Sequence, residues 1–429
     1  MYSTSAGAGC TIFMFVLVSG IAHGLAARWL LLNFASARRR KGLVIGLTIL
    51  LSVLPGLARM IVRSQPTPFW MSVFAALMIE VTSVVVAVMP ITIASIFSRS
   101  VFSLLDARRA RQELDRPEPV EAAEDASESK ISSPRNSALP RLPVKSPPPV
   151  TRREAIERIA GVSVFAGTGL ALGWGSVRGR HAFQLEEVVV KVAGWPKALD
   201  GYTIAQISDI HVGGFVGDRE LGEGLELVKR AKPDLVVATG DLVDFRSELV
   251  TALAVRLADL DVRDGVAAIL GNHDHYAGPA DVVDGLQRSG VRVLSNTSVR
   301  VRSNDGGGFL LVGLDDLAGR ARPQKGFTGP DLARAIAGHP PEVPRILLAH
   351  QPNFFKESAG RVALQLSGHT HGGQINPGFR PADLLMTFVS GRYERNGSTL
   401  WVNRGFGVAG PPSRVGAPPE VTKIVLVSA

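Results

Sequence analysis

The chain has 429 residues, 46% of them hydrophobic, and a formal charge of +9. That length exceeds one ordinary domain and allows two or three. A single cysteine, Cys10, excludes an intramolecular disulfide and a cysteine-built zinc site. The basic excess sits in short clusters beside apolar runs, at residues 38–41, at Arg108, Arg109 and Arg111, and at Arg152 and Arg153. This suits membrane flanks, and without a basic stripe interleaved with aromatics no nucleic-acid partner is expected.

Residues 11–32, 43–62 and 69–97 are apolar runs, each near the roughly 20 residues a helix needs to cross a bilayer. Three such runs with basic clusters between them predict an all-α transmembrane bundle over residues 1–105, with the lipid bilayer as partner. His23, the histidine of the first run beside Arg28, and Glu80, the single acid of the third, are read as structural. Residues 106–150 are rich in Glu, Arg, Ser and Pro and read as a disordered linker. Residues 151–180 follow an Arg-Arg pair with a weaker apolar stretch, which fits a fourth membrane helix or a twin-arginine-like signal anchor. Keeping the arginine clusters on the cytoplasmic side puts the C-terminal domain on the outer face.

From residue 181 to 429 the pattern is that of an α/β domain. Strands are predicted at 188–192, 203–207, 235–237, 266–270, 309–312, 346–348, 362–366, 400–402 and 421–427. Helices are predicted near 218–231, 246–260, 279–289 and 329–337. Interleaving of the two argues for a partly parallel sheet.

Five polar clusters each follow one of these strand-like runs: Asp209-Ile210-His211, Gly240-Asp241-Leu242-Val243-Asp244, Gly271-Asn272-His273-Asp274, His350, and Gly368-His369-Thr370-His371. Ligands of open α/β sheets gather beyond the carboxyl ends of strands, so five such ends are expected to converge on one rim. Asp, Asn and His are oxygen and nitrogen donors suited to Mn, Fe or Zn. A carboxylate such as Asp241 has two oxygens and can bridge two ions. Two ions roughly 3.5–4 Å apart can clamp the attacking and leaving oxygens of an in-line displacement. A departing alkoxide needs a proton, which a histidine beside a carboxylate can supply.

In order and spacing these five clusters resemble the calcineurin-like metallophosphoesterase superfamily. The run from Leu364 to Ile375 and the C-terminal Asn403-Arg404-Gly405-Phe406-Gly407 resemble its membrane-linked bacterial subgroup. The resemblance implies an αββα four-layer sandwich behind the transmembrane bundle. It implies two divalent metal ions, one on Asp209, His211 and His371, the other on Asn272, His350 and His369, with Asp241 between them. It gives His273 the role of protonating the leaving oxygen and Asp244 that of orienting His273. Arg404 and Arg414 are candidate contacts to substrate phosphate. His275 stands where the family has an aromatic residue, and either lines the pocket or is exposed. Asp315 and Asp316 match no ligand position and read as turn or capping residues.

The function expected on this basis is hydrolysis of a phosphodiester or pyrophosphate bond at a bacterial inner membrane, with the catalytic domain on the periplasmic side. The subgroup implies a phosphate-ester substrate that is lipid-linked, such as a UDP-diacylglucosamine-type glycolipid. The alternatives are a tethered phosphatase or cyclic-nucleotide phosphodiesterase on soluble substrates, and a membrane sensor or scaffold with a non-catalytic domain.

Overall fold

The computed structural model describes residues 4–64, 67–114, 151–302 and 307–429. The N-terminal part is helical: α1 (Thr4–Asn33), a short α2 (Ala35–Arg39), α3 (Lys41–Ser64), α4 (Pro68–Leu114) and α5 (Arg152–Val177). Four segments are long and apolar enough to cross a membrane: Phe13–Asn33, Lys41–Val62, Phe69–Phe97 and Glu154–His181. Helix α4 runs on to Leu114, into residues expected to belong to the linker; the rest of that linker lies outside the described residues. His23 is satisfied within its own helix, its Nδ1 donating to Ser19 O at 2.8 Å.

The remainder is built on two six-stranded mixed sheets. Chain order gives β1 (Gln184–Val192), β2 (Tyr202–Ile207), α6 (Asp218–Ala231), β3 (Leu235–Thr239), α7 (Val250–Ala258), β4 (Val266–Ile269), α8 (Asn272–Ala277), α9 (Pro279–Arg288), β5 (Arg292–Val293), β6 (Thr297–Val301), β7 (Phe309–Gly313), β8 (Arg345–Leu348), β9 (Leu364–Ser367), β10 (Gly391–Arg395), β11 (Ser398–Val402) and β12 (Glu420–Ser428). The first sheet has the order β1-β12-β2-β3-β4-β5 and the second β10-β11-β9-β8-β7-β6. Parallel pairing runs from β2 to the edge strand β5 in the first sheet, and through β7, β8, β9 and β11 in the second.

Side-chain alternation sorts these strands into layers. Ile204, Leu235, Val237, Phe309, Leu311, Ile346, Leu348 and Leu364 form one apolar layer between the sheets. Ala205, Ile207, Val236 and Ala238 face the other way, onto Leu225 and Val228 of α6 and Leu253 and Leu257 of α7. The outer face of the second sheet, with Leu310, Val312 and Leu347, is covered by Leu332, Ala335 and Phe354. This is the αββα sandwich. Strands buried on both faces read as unbroken apolar runs, which is why the sequence signals them strongly. The strands β5, β6 and β10, absent from the sequence reading, are edge or two-residue elements with exposed polar faces.

Candidate metal centre

Parallel pairing puts the carboxyl ends of β2, β3, β4, β8 and β9 on one rim, and backbone bonds tie their loops together. Asp209 N donates to Gly240 O at 2.9 Å, His211 N to Asp241 O at 3.0 Å, and Gly368 N to His350 O at 3.0 Å. Across the two sheets, His369 N donates to Asp209 Oδ1 at 2.9 Å. Two glycines are dictated by crowding. A Cβ on Gly240 would sit 2.7 Å from both Gly271 N and His350 Nδ1, and one on Gly271 would collide with Asp241 Oδ1.

These turns hold ligand-type residues in a costly backbone state. Asp209, His211, Asp241, His369 and His371 have φ of 53°, 53°, 52°, 73° and 50°. A non-glycine residue adopts this left-handed region only when its surroundings impose it, and such residues cluster at functional sites.

The side chains converge as two separate groups, with a third, His211, Asp244 and His273, overlapping the first at His211. Asp209, His211 and His371 offer donor atoms within 4.8 Å of one another, and so do Asp241, His350 and His369. The groups adjoin through Asp241, whose Oδ2 lies 3.3 Å from His350 Nε2 and 3.7 Å from His211 Nε2. Ring nitrogens face each other at 3.2 Å in both groups, His211 Nε2 with His371 Nε2 and His369 Nδ1 with His350 Nε2. His350 Nδ1 donates to Thr239 O at 2.8 Å, which leaves Nε2 as the free lone pair. Asn272 Oδ1 is buried with no hydrogen-bond partner among the described residues. An orphaned buried carbonyl oxygen is expensive unless something electropositive meets it. The donor set therefore fits divalent cations, one on each group, with Asn272 completing the second.

Electrostatics agree with that reading. Burial alone would raise the Asp241 carboxyl, but His350, His211 and His273 hold it well below the usual carboxylate range. Burial opposes charge on His350, yet Asp241 keeps that ring well above its usual range. Burial, then His211 and Arg414, holds His371 well below the ordinary imidazole range, and burial with His350 lowers His369. Neutral imidazole is the form that binds a metal; His369 and His371 are held in it, whereas His350 is held charged by Asp241 and would give up its Nε2 proton to accept an ion.

His273 stands beside these groups. Its backbone N–H donates to Asp241 Oδ1 at 2.8 Å, and its Nδ1 donates to Asp244 Oδ1 at 2.9 Å. Burial works against its protonation, but the Asp244 hydrogen bond and the Asp241 charge prevail and push it up to about 9. The rings of Phe245 and Tyr276 flank it at 5.5 and 5.6 Å. Both aromatics went unnoticed in the sequence, where their only signal is adjacency to Asp244 and to the Asn272–His275 run. Asp274 is a clamp: Oδ1 accepts from Leu242 N and Val243 N, and Oδ2 from Gly271 N, joining the turns after β3 and β4.

Three expectations need correction or detail. Arg414, a candidate contact to substrate phosphate, is 1% exposed, and its guanidinium donates to the carbonyls of Arg404, Gly405, Gly407 and Ala417 and to His371 Nδ1 at 3.2 Å. It backs a ligand. Arg404 is paired with Glu186 at 2.8 Å and Glu420 at 2.9 Å, which commits its charge to protein carboxylates. His275 neither lines a pocket nor is exposed. It is buried, its Nε2 2.8 Å from Asp315 Oδ1, and Asp315 also accepts from Gly329 N, so the pair anchors the 315–329 loop. Asp316 is the expected turn residue, its Oδ1 accepting from Ala318 N two positions on.

Residues 202–373 match the family model described as calcineurin-like phosphoesterase. The chain is 35% identical over 295 residues to a transmembrane protein with metallophosphoesterase domain from Danio rerio, covering 65% of this chain and 66% of that one. It is 32% identical over 249 residues to an uncharacterized metallophosphoesterase from Aquifex aeolicus, covering 57% of this chain and 92% of that protein. With the uncharacterized metallophosphoesterase YkuE of Bacillus subtilis it shares 30% identity over 289 residues, 65% of this chain and 98% of that one. The family model, with relatives of 32% and 30% identity matched over 92% and 98% of their own length, gives one conclusion: the chain belongs to the calcineurin-like metallophosphoesterases.

Proposed function

We propose that this chain is a membrane-anchored phosphoesterase that hydrolyses a phosphodiester or pyrophosphate bond in a lipid-linked substrate, of the nucleotide-diphosphate glycolipid class. The observation that carries the reaction is the pair of three-donor groups that adjoin at Asp241, with the His273–Asp244 couple beside them. Asp209, His211 and His371 would hold one divalent ion, and Asn272, His350 and His369 the other, with Asp241 placed between the two groups. When bound, manganese, iron or zinc supplies charge against the phosphoryl oxygens and an activated water at neutral pH. The protein supplies the rest. Backbone turns fixed by Gly240 and Gly271 hold the ligands at the rim. His273 Nδ1 is committed to Asp244, so Nε2 is the ring atom that hands a proton to the leaving oxygen. Phe245 and Tyr276 limit the rotation of that ring. The lipid-linked substrate rests on the four candidate spans, which keep the domain near a lipid surface. The arginine clusters after the first and third spans support a placement outside a bacterial cytoplasmic membrane.

The test is hydrolysis of bis-p-nitrophenyl phosphate by the full chain in detergent with added manganese, beside His273→Ala. The parent should turn over, and a chelator should stop it. The variant should lose about 10²–10⁴-fold on esters with basic leaving groups and less on p-nitrophenyl esters, since a good leaving group needs little protonation. A folded, metal-loaded parent inert on this ester and on panels of lipid and nucleotide esters would reject the reading. Preference for nucleotide esters over dispersed lipids would reject the lipid-linked substrate alone.

A further inference from the structure

Among its described residues the catalytic domain exposes a few large apolar side chains at scattered positions, such as Val189 and Val255, and one concentrated group. Phe379, Leu384, Leu385 and Met386 are 63%, 82%, 90% and 43% exposed within one short loop. Single exposed apolar residues need no explanation, whereas a contiguous group marks a contact. The loop is held in shape. Arg380 donates to Asp383 Oδ1 at 2.8 Å and to Ser390 Oγ at 2.6 Å, and the turn Pro381–Leu384 leaves Leu384 and Leu385 outermost. Its far end is fastened to the ligand loop by Thr370 Oγ1 donating to Val389 O.

The place from which the loop springs tells what covers it. Residues 374–376 are bonded to 411–415: Gln374 Nε2 donates to Pro411 O at 2.8 Å and Asn376 N to Val415 O at 2.7 Å. The same 411–415 segment receives the end of α5. Ser413 Oγ donates to Leu172 O at 2.8 Å and Arg414 N to Gly175 O at 3.2 Å, with Gly175 and Gly179 giving room for the approach. Leu172 and Gly175 lie within the candidate span Glu154–His181, whose neighbouring Leu170, Trp174 and Val177 are exposed. Tryptophan at the end of a span is the usual mark of the lipid–water boundary. Residues near the α3–α4 junction reach the same rim: Phe74 stacks on Phe215 at 6.4 Å, and the Arg59 guanidinium lies 5.3 Å from the Phe245 ring.

We propose that loop 379–386 dips into the surface of the bilayer that α5 leaves, with lipid as its partner, so that the rim of the metal centre is held at headgroup level. Apolar side chains on a short amphipathic element enter the headgroup–acyl boundary by about 5–10 Å. The loop also abuts the ligand turn, since a Cβ on Gly373 would lie 3.1 Å from Ala382 Cβ. This inference does not depend on the reaction proposed above.

The experiment uses the full chain in phosphatidylethanolamine–phosphatidylglycerol vesicles. Cys10 is the only cysteine, so Cys10→Ser gives a clean background for an environment-sensitive fluorophore at Leu385→Cys. The control is Lys229→Cys, an exposed position near the end of α6, at the opposite edge of the sheet from the rim. Doxyl-labelled lipid should cut the emission at 385 by about twofold or more and leave 229 unchanged, as expected for a probe in the boundary layer. Emission at 385 that iodide quenches from water and doxyl lipid does not would overturn the proposal. So would a 385 probe that neither quencher reaches, because a protein surface would then cover the loop.

Discussion

Along the four candidate spans only 22%, 22%, 28% and 11% of the most apolar window is buried. In β3, β4, β7 and β9 every residue is buried. Both regions are runs of the same Val, Leu, Ile and Ala. In the sandwich, protein covers those side chains, and their packing contributes stability directly. In the helices lipid is left to cover them, and a change of one apolar residue for another alters little. A hydrophobic run states that water is excluded, and the length and surroundings of the run decide what excludes it. Loop 379–386 belongs to the sandwich by position and resembles the spans in what it exposes.

The contrast can be tested, beginning at the site. Asp241→Asn is expected to lose bound metal and to cut turnover of any substrate by more than about 100-fold, since even an outer partner of a ligand gives 10–100-fold; metal analysis of the purified chain beside the rate checks it. Unchanged metal content would mean that the two groups bind independently of their shared carboxylate. Next is packing. Phe309→Ala, in the layer between the sheets, should cost about 3–5 kcal/mol. Leu170→Ala, 75% exposed on α5, should stay within about 0.5 kcal/mol, both read from unfolding in detergent. Equal losses would erase the distinction between the two regions.

A smaller effect probes where they join. Gly179→Ala places a Cβ against Arg414 O, an overpacking that should cost about 1–3 kcal/mol. Because Arg414 supports His371, metal should also be lost more readily to a chelator, and metal retention equal to the parent's would uncouple α5 from the centre.

The last test lies far from the rim. Tyr202 donates to Asp264 Oδ2 at 2.6 Å, and burial with that carboxylate raises its phenol well above the usual range. A raised folded pKa means the stabilisation is complete below about pH 10 and lost as pH rises beyond it. Tyr202→Phe should lower stability by about 1.5–3 kcal/mol at neutral pH and flatten the alkaline fall in melting temperature. An identical alkaline slope in both proteins would remove Tyr202 as its source.

The candidate donor residues were legible because each sits one or two positions past an apolar strand, so local spacing points to both the residue type and its place at a strand end. Asp209, Asp241 and His350 could be named with no knowledge of the sheets. The edge strands β6 and β10 were not legible: residues such as Arg300, Arg392 and Glu394 break the apolar alternation, and only a paired neighbour makes those segments strands. Arg414 looked like a surface arginine because nothing local marks it as buried; residues 404 to 417 and His371 close around it only in the fold.

The sequence by itself determined that one part of the chain belongs in lipid and the other carries a metal-binding rim, since run length, charge placement and motif spacing are local properties. Tertiary structure alone decided that Arg414 stands behind His371, that His275 is locked onto Asp315, and that the end of α5 is bonded to the segment beside the ligand loop. The physical reason is burial. Whether a charged or apolar side chain faces solvent depends on partners 40 to 241 positions away, and no local pattern encodes them.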